Sequence, residues 1–317
     1  MNILVTGGAG FIGSNLVGAL LNDERVSLVR VIDNLATGQL SNISEFRSHP
    51  NFEFIEADIR DYEACVRSCD GIDAISHQAA LGSVPRSIAD PLTTNEVNIT
   101  GTLNVFTAAK EKGVKRVVFA ASSSTYGDHP GLPKVEHLIG NPLSPYAVTK
   151  YVNELYARVY ASVYGLDYVG LRYFNIFGPK QNPNGPYAAV IPLFAEAVIK
   201  GIPPTINGDG SYSRDFTFVE NAVLANMLAL FSGNKDALNQ VYNIACGEQT
   251  SLLQLFNFLV EAEGKELKPI HGPERKGDVH HSLADISKAH SLLGYQPVMN
   301  VREGLKKTLE WYRSNLV

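Results

Sequence analysis

The run Thr6-Gly7-Gly8-Ala9-Gly10-Phe11-Ile12-Gly13 restricts this chain more than any other feature. It stands between a β-like run, Ile3-Leu4-Val5, and a helical stretch reaching about Asn22. Glycines at 7, 10 and 13 serve three needs: a tight turn, close approach of a phosphate to the backbone, and close packing of helix on strand. A diphosphate then rests on free N–H groups at a helix N-terminus, where the macrodipole favours negative charge. Leu28–Ile32 reads as a second strand and ends at Asp33, twenty residues after Gly13. A carboxylate there accepts from both ribose hydroxyls and repels a 2′-phosphate, so NAD is favoured over NADP. Phe52–Glu56 makes a third strand, followed by Asp58 in a position to reach adenine.

The alternation continues. Asp73–His77, Arg116–Ala121 and Tyr168–Tyr173 are strand-like, with helical stretches over 91–112 and 146–164. Strands separated by helices imply βαβ units, so the expected fold is α/β: a doubly wound parallel (Rossmann) sheet with a smaller, mixed α/β C-terminal lobe. After Asn175 the chain is punctuated by Gly178-Pro179, Pro183, Gly185-Pro186, Pro192 and Pro203-Pro204. Helices are expected at 190–200, 220–231, 251–263 and 301–314, and a strand at Val241–Ala245. This divides the chain into a cofactor domain, 1–175, completed by part of 216–245, and a discontinuous substrate lobe, 176–317.

Composition removes several function classes. The 317 residues carry 27 Lys+Arg against 32 Asp+Glu, a formal charge of −5, which disfavours a nucleic-acid partner. No apolar run reaches membrane-spanning length, and no basic segment precedes the first strand, so a cytoplasmic protein without a membrane partner is expected. Cys65, Cys69 and Cys246 lack a second ligand pair and read as reduced thiols. No His/Asp/Glu spacing reads as a metal site, and His280 and His281 are assigned to packing or polar contacts.

Tyr146-Ala147-Val148-Thr149-Lys150 places a phenol and an ammonium four residues apart, one turn along a helix face. A tyrosine is a poor base at neutral pH, but a fixed cation and the positive nicotinamide of NAD would lower its pKa. The phenolate can then take a proton from a sugar hydroxyl as the carbon beneath surrenders hydride. With 14 tyrosines such a pair arises easily by chance; Tyr156 and Tyr160, however, lack a lysine four residues on. The run Ser122-Ser123-Ser124 follows the fifth strand, where strand ends form the ligand crevice, and offers hydroxyls to the reacting oxygen.

These residues, in this order, resemble the extended short-chain dehydrogenase/reductase family over essentially the whole chain. The resemblance is carried by TGGAGFIG, Asp33-Asn34, Asp58-Ile59, His77-Gln78-Ala79-Ala80, the serine run, Tyr146-x-x-x-Lys150 and Leu171-Arg172-Tyr173-Phe174-Asn175. Within the family the chain is most similar to UDP-hexose 4-epimerases, in particular bacterial UDP-N-acetylglucosamine 4-epimerases of O-antigen (lipopolysaccharide) biosynthesis. His77–Ser87, Ala120–Pro133 and Ser144–Leu155 carry that similarity.

The resemblance implies Tyr146 as base, Lys150 as its partner, and Ser122 as the catalytic hydroxyl, with Ser123 and Ser124 sharing that role. It places Gly7, Gly10, Phe11, Ile12, Asp33, Asn34 and Gly38 against NAD. Asp58, Ile59, Gln78, Ala79, Ala80, Asn98 and Tyr173 join them, as do Tyr146 and Lys150. On the substrate side it implies Gly82 and Ser83; Asn175, Arg214 and Arg275 at the nucleotide diphosphate, with Asp278 following; and Ala189 and Val190 at the uridine. Asn207 stands where hexose epimerases often carry an aromatic residue. Ser282 occupies a position that is a bulky tyrosine in glucose-restricted epimerases, and its small side chain leaves space for a 2-acetamido group.

The expectation is a UDP-hexosamine 4-epimerase acting through a transient 4-keto sugar, and by resemblance a homodimer paired through the helices around 91–112 and 146–164. Competing readings are a UDP-glucose/UDP-galactose or UDP-glucuronate 4-epimerase, a nucleotide-sugar decarboxylase or 4,6-dehydratase, and a non-catalytic NAD-binding sensor or scaffold. The dehydratases carry Thr-Asp-Glu where this chain has Ser122-Ser123-Ser124.

Overall fold

Successive residues of the first strand enter opposite cores. In the computed structural model, which describes residues 1–183, 188–274 and 280–315, Ile3 and Val5 enter one apolar cluster and Leu4 another. A strand buried on both faces belongs inside a parallel sheet. The N-terminal part runs β1 (Asn2–Thr6), α1 (Phe11–Leu21), β2 (Leu28–Asp33), β3 (Phe52–Glu56), α2 (Tyr62–Ser68) and β4 (Ala74–His77). It continues through α3 (Val84–Ala89), α4 (Pro91–Asn95), α5 (Thr102–Glu111), β5 (Arg116–Ser122), α6 (Pro145–Tyr164) and β6 (Asp167–Tyr173).

The remainder comprises β7 (Ile176–Phe177), α7 (Val190–Lys200), β8 (Thr205–Asn207), β9 (Ser213–Arg214), β10 (Thr217–Phe218) and α8 (Val219–Phe231). After these come β11 (Gln240–Ile244), β12 (Thr250–Ser251), α9 (Leu252–Glu263), β13 (Ile270–Gly272), α10 (Ser287–Leu293) and α11 (Val301–Asn315).

Seven strands form one sheet in the order β11-β6-β5-β4-β1-β2-β3, all parallel. From β1 the chain builds first towards β3 and then, from β4, in the opposite direction. A crevice therefore opens between the carboxyl ends of β1 and β4, where ligands bind in sheets of this kind. Helices α1 and α8 cover one face through Leu16, Val17, Leu20, Ala225 and Ala229. Helices α2, α5 and α6 cover the other through Cys65, Phe106, Ala109, Ala157 and Tyr160.

One detail differs from the sequence expectation and another refines it. The stretch from Pro91 to Lys112 is not one α-helix: a π-helical turn over Glu96–Gly101 separates α4 from α5. Of residues 216–245, β11 joins the sheet beside β6 and α8 lies on its face, whereas β10 pairs with β7. Phe218 explains this last point, because its ring belongs to the core of the C-terminal lobe. There α7, α9 and α11 pack around Ile191, Phe194, Phe256, Leu305 and Tyr312.

Candidate active site

A cleft of about 590 Å³ follows the crevice and is lined at one end by Gly7, Gly10, Phe11, Ile12 and Gly13. A side chain at Gly13 would place its Cβ 2.2 Å from the Gly7 carbonyl oxygen. Gly7 has φ +67 and lies against the Ala79 backbone, where a Cβ would come within 2.7 Å. Helix α1 starts here without a side-chain cap. Its N-terminal amides are thus available to an anion.

Asp33 closes β2 beside this turn. Its Oδ2 accepts from Ala9 N at 2.9 Å and its Oδ1 from Leu35 N at 2.8 Å. Burial pushes its carboxyl pKa up, against the pull of the amides. Two oxygens carry about four acceptor sites, so capacity remains for a ligand. At the far end Asp58 accepts from Asn34 Nδ2 at 2.8 Å and pairs with Arg60 at 2.8 Å, and these contacts hold its pKa down.

Tyr146 and Lys150 enter the same cleft from α6. The helix begins there because Ser144 accepts from Ala147 N at 3.1 Å and Pro145 takes the first helical position. Lys150 is buried, its Nζ 5.9 Å from the Tyr146 ring centre, and it donates to Ala120 O at 2.9 Å. Burial pulls its pKa down to about 8. Burial pushes the Tyr146 phenol up and the Ser122 hydroxyl pulls it down.

The floor of the cleft contains partners that no local pattern announces. Tyr173 Oη donates to Gln78 Oε1 at 3.1 Å and accepts from Asn226 Nδ2 at 2.7 Å. Gln78 Nε2 donates to Ser76 Oγ at 2.9 Å and Asn226 Oδ1 at 3.0 Å. Asn226 comes from α8 and Ser76 from β4, so helix and sheet jointly orient two cleft residues.

Residues 3–245 match the model of the "NAD dependent epimerase/dehydratase family". The chain belongs to this family. It is 38% identical to the UDP-glucose 4-epimerase of Mycolicibacterium smegmatis over 316 residues, covering 99% of each chain. A solved UDP-N-acetylglucosamine 4-epimerase from Methanobrevibacter ruminantium, in complex with UDP-N-acetylmuramic acid, is 41% identical, with TM-score 0.93 over 99% of this chain and 98% of that one. UDP-glucuronic acid 4-epimerase from Bacillus cereus, in complex with UDP-glucuronic acid and NAD, is 33% identical, with TM-score 0.90 over 99% of each.

The cofactor of this epimerase/dehydratase is NAD, and the cleft fits it. The uncapped end of α1 suits a diphosphate and Asp33 suits an unphosphorylated ribose. Asn34, Asp58, Ile59, Ala79, Ala80, Gln78 and Tyr173 line the same cleft. Gly38 does not. It packs on Ala9, where a Cβ would come within 2.9 Å of backbone. Asn98 does not either: the π-helical turn points it inward, fully buried, where it bonds Leu81 N at 2.8 Å, Leu81 O at 3.1 Å and Thr149 Oγ1 at 3.1 Å. Thr149 in turn donates to Tyr146 O at 2.8 Å, so Asn98 ties the cleft loop to the catalytic helix.

On the substrate side the epimerase/dehydratase brings Gly82, Ser83 and Asn175 to the cleft, together with Ser122 and Ser123. Ser124 lies behind Ser122. Both Ser83 (φ +95) and Asn175 (φ +40) hold positive φ values, a cost that non-glycine residues bear mainly at functional sites. Asn175 Nδ2 donates to Asp215 O at 3.0 Å. Arg214, Asn207, Ala189, Val190 and Ser282 stand on the C-terminal lobe and do not line the part of the cleft around the glycine turn and Tyr146. Ala189 precedes α7, whose N-terminus has no side-chain cap, and Val190 packs on the lobe core. Asn207 is exposed on the β8–β13 pair. Arg214 donates to Ser213 O at 2.9 Å and His280 O at 3.1 Å. Ser282 N donates to Ser213 O at 3.1 Å, so Ser282 and Arg214 sit together, and the buried Ser282 hydroxyl has no partner among the described residues. Arg275 and Asp278 lie outside the described residues.

His280 stacks on Tyr212 with ring centres 4.5 Å apart, and His281 Nδ1 meets Ser213 Oγ at 2.8 Å. Among the described residues no three His, Cys, Asp or Glu side chains form a metal-binding group, and no helix is long and apolar enough to cross a membrane.

Proposed function

We propose that the chain is a UDP-sugar 4-epimerase that interconverts UDP-N-acetylglucosamine and UDP-N-acetylgalactosamine. The observation carrying the reaction type is the placement of the Tyr146 phenol and the Ser122 hydroxyl, which pulls its pKa down, in the same cleft as the glycine turn and Asp33. NAD, when bound, supplies the hydride acceptor and returns the hydride, so C4 passes through a ketone with no net oxidation. Tyr146 Oη takes the O4 proton and gives it back after the sugar has turned over. Proton transfer of this kind contributes on the order of 10²–10⁴-fold. The Ser122 O–H stabilises the oxygen that carries charge. Lys150 holds a buried positive charge below the phenol, and an ammonium with one donor spent on Ala120 O has others to offer a ribose.

The nucleotide is gripped by Asn175 and Arg214, with Arg275 and Asp278 as further candidates. A fixed diphosphate retains the intermediate while the sugar end turns. The acetylated substrate is favoured by Ser282, which lies beside Arg214 and is smaller than the tyrosine of glucose-restricted epimerases. Relatives named for UDP-glucose and UDP-glucuronic acid define the comparison. Incubating the protein with UDP-N-acetylglucosamine, UDP-glucose and UDP-glucuronic acid separately, with initial rates read by NMR, tests this. The largest kcat/KM is expected for the acetylated sugar; a preference for UDP-glucose overturns the assignment.

A homodimer accompanies this reading. Ile88 and Leu92, in α3 and α4, and Val159 and Val163, in α6, are exposed apolar side chains on neighbouring helices. A second copy would bury them, and light scattering measures the resulting mass.

A further inference from the structure

Ser122 is the last residue of β5 and the cap of a short 3₁₀ turn, Ser123–Tyr126. Its Oγ accepts from Ser124 N at 3.1 Å and from Ser124 Oγ at 2.8 Å. A hydroxyl has two acceptor positions and one proton. Both acceptor positions of Ser122 are therefore spent on one residue, and its proton is all it has left to offer. The turn that fixes this arrangement is itself constrained. It closes at Gly127, φ +53, where a Cβ would lie 1.8 Å from the Asn141 carbonyl oxygen, so the backbone presenting Ser124 is set by packing. Ser124 does not line the cleft, whereas Ser122 does.

We propose that Ser124 is a positioning residue for the epimerisation: by saturating the acceptor side of Ser122, it aims the Ser122 O–H at Tyr146 and the sugar oxygen. Ser122 then acts as a hydrogen-bond donor and not as a carrier that receives the O4 proton. The proton passes directly between O4 and Tyr146 Oη. This rests on the 4-epimerase reading for its rate predictions, but the hydrogen-bond arrangement itself does not depend on the substrate.

Donation from Ser122 favours the phenolate over the phenol and so pulls the Tyr146 pKa down, against the burial that raises it. Two further titratable groups share the cleft: the Lys150 ammonium, 5.9 Å from the Tyr146 ring centre on the same helix, and the Tyr173 phenol from β6. Loss of the Ser124 hydroxyl leaves Ser122 free to rotate and accept, so the phenolate loses its fixed donor and its pKa rises.

The test compares Ser124→Ala and Ser124→Thr with the wild type. For Ser124→Ala, kcat is expected to fall about five- to ten-fold, the size of one hydrogen bond, with KM unchanged. The acid limb of the kcat–pH profile should move to higher pH, and Ser124→Thr should restore both. A substrate-free readout accompanies these: the ultraviolet tyrosinate titration of each protein, with that of its Tyr146→Phe counterpart subtracted, should show a higher Tyr146 pKa in Ser124→Ala. An unchanged titration and an unchanged kcat overturn the proposal. So does a loss that appears in KM or in the melting temperature and spares kcat. Should the wild type turn over no UDP-sugar while the titration still moves, the functional reading fails and the positioning role stands.

Discussion

Arg172 on β6 grips Glu154 on α6 through two hydrogen bonds, Nε to Oε1 at 2.8 Å and Nη2 to Oε2 at 2.7 Å. Both side chains are 4% exposed. Arg172 also donates to Glu136 O at 3.0 Å and lies over the Tyr126 ring, so its charge is surrounded by partners. The pair pins the helix carrying Tyr146 and Lys150 to the sheet. Removing one member leaves a buried charge alone, which costs about 3–5 kcal/mol. Glu154→Ala is thus expected to lower unfolding stability by that amount in urea titration, whereas replacing both residues with apolar ones of similar volume should cost much less.

Tyr146→Phe keeps the ring and its packing and removes only the oxygen that handles the proton. Turnover should fall by about 10²–10⁴-fold with bound NAD retained. Initial rates and the nucleotide released on denaturation measure the two effects separately.

Gly13→Ala puts a Cβ 2.2 Å from the Gly7 carbonyl oxygen and 2.8 Å from Gly8 Cα, both backbone atoms. The turn must open, so NAD co-purification should be lost. Gly233→Ala is the control for an added methyl, because a Cβ there meets nothing within 4 Å and Gly233 does not line the cleft.

Asp215 is fully buried and accepts from Cys246 N at 3.0 Å, Gly247 N at 3.1 Å and Ala284 N at 3.2 Å. Burial lifts its pKa from 3.8 to about 7. Between these values the folded chain holds a proton that the unfolded chain has released. Its contribution to stability is complete below the lower value and is lost as pH rises through the upper one, a linkage worth about 4 kcal/mol. Urea midpoints at pH 5 and pH 8 should therefore show a larger loss for wild type than for Asp215→Asn, which has no carboxyl proton to lose.

Ser282→Tyr introduces beside Arg214 the bulky side chain of glucose-restricted epimerases. The kcat/KM ratio for UDP-N-acetylglucosamine over UDP-glucose should fall by roughly ten-fold or more, the order of a pocket steric effect. Competition between the two sugars, followed by NMR, gives that ratio directly.

The parts of the site legible in the sequence are those whose chemistry is local. The glycine turn, Asp33 at a strand end and the four-residue spacing of Tyr146 and Lys150 each follow from backbone geometry within a few residues. The roles of Asn98, Asn226 and Ser124 do not. The sequence offers Asn98 as a cofactor contact but gives no sign of its hydrogen bonds to Leu81 and Thr149, which the π-helical turn sets up. Asn226 reaches Gln78 from 148 residues away. The three serines of the run are indistinguishable as letters; their separation into a donor, a cleft residue and a support comes from the turn at 123–126.

The linear order of residues determined the strand–turn–helix units, the cofactor and the phenol–ammonium pair, because each depends on steric and electrostatic rules acting over one or two turns of chain. Only the tertiary structure decided the rest: which of the serine hydroxyls acts on Tyr146, in which direction burial moves its proton affinity, and which polar groups brace the cleft. Burial and long-range hydrogen bonding set those properties, and both exist only once distant segments have packed together.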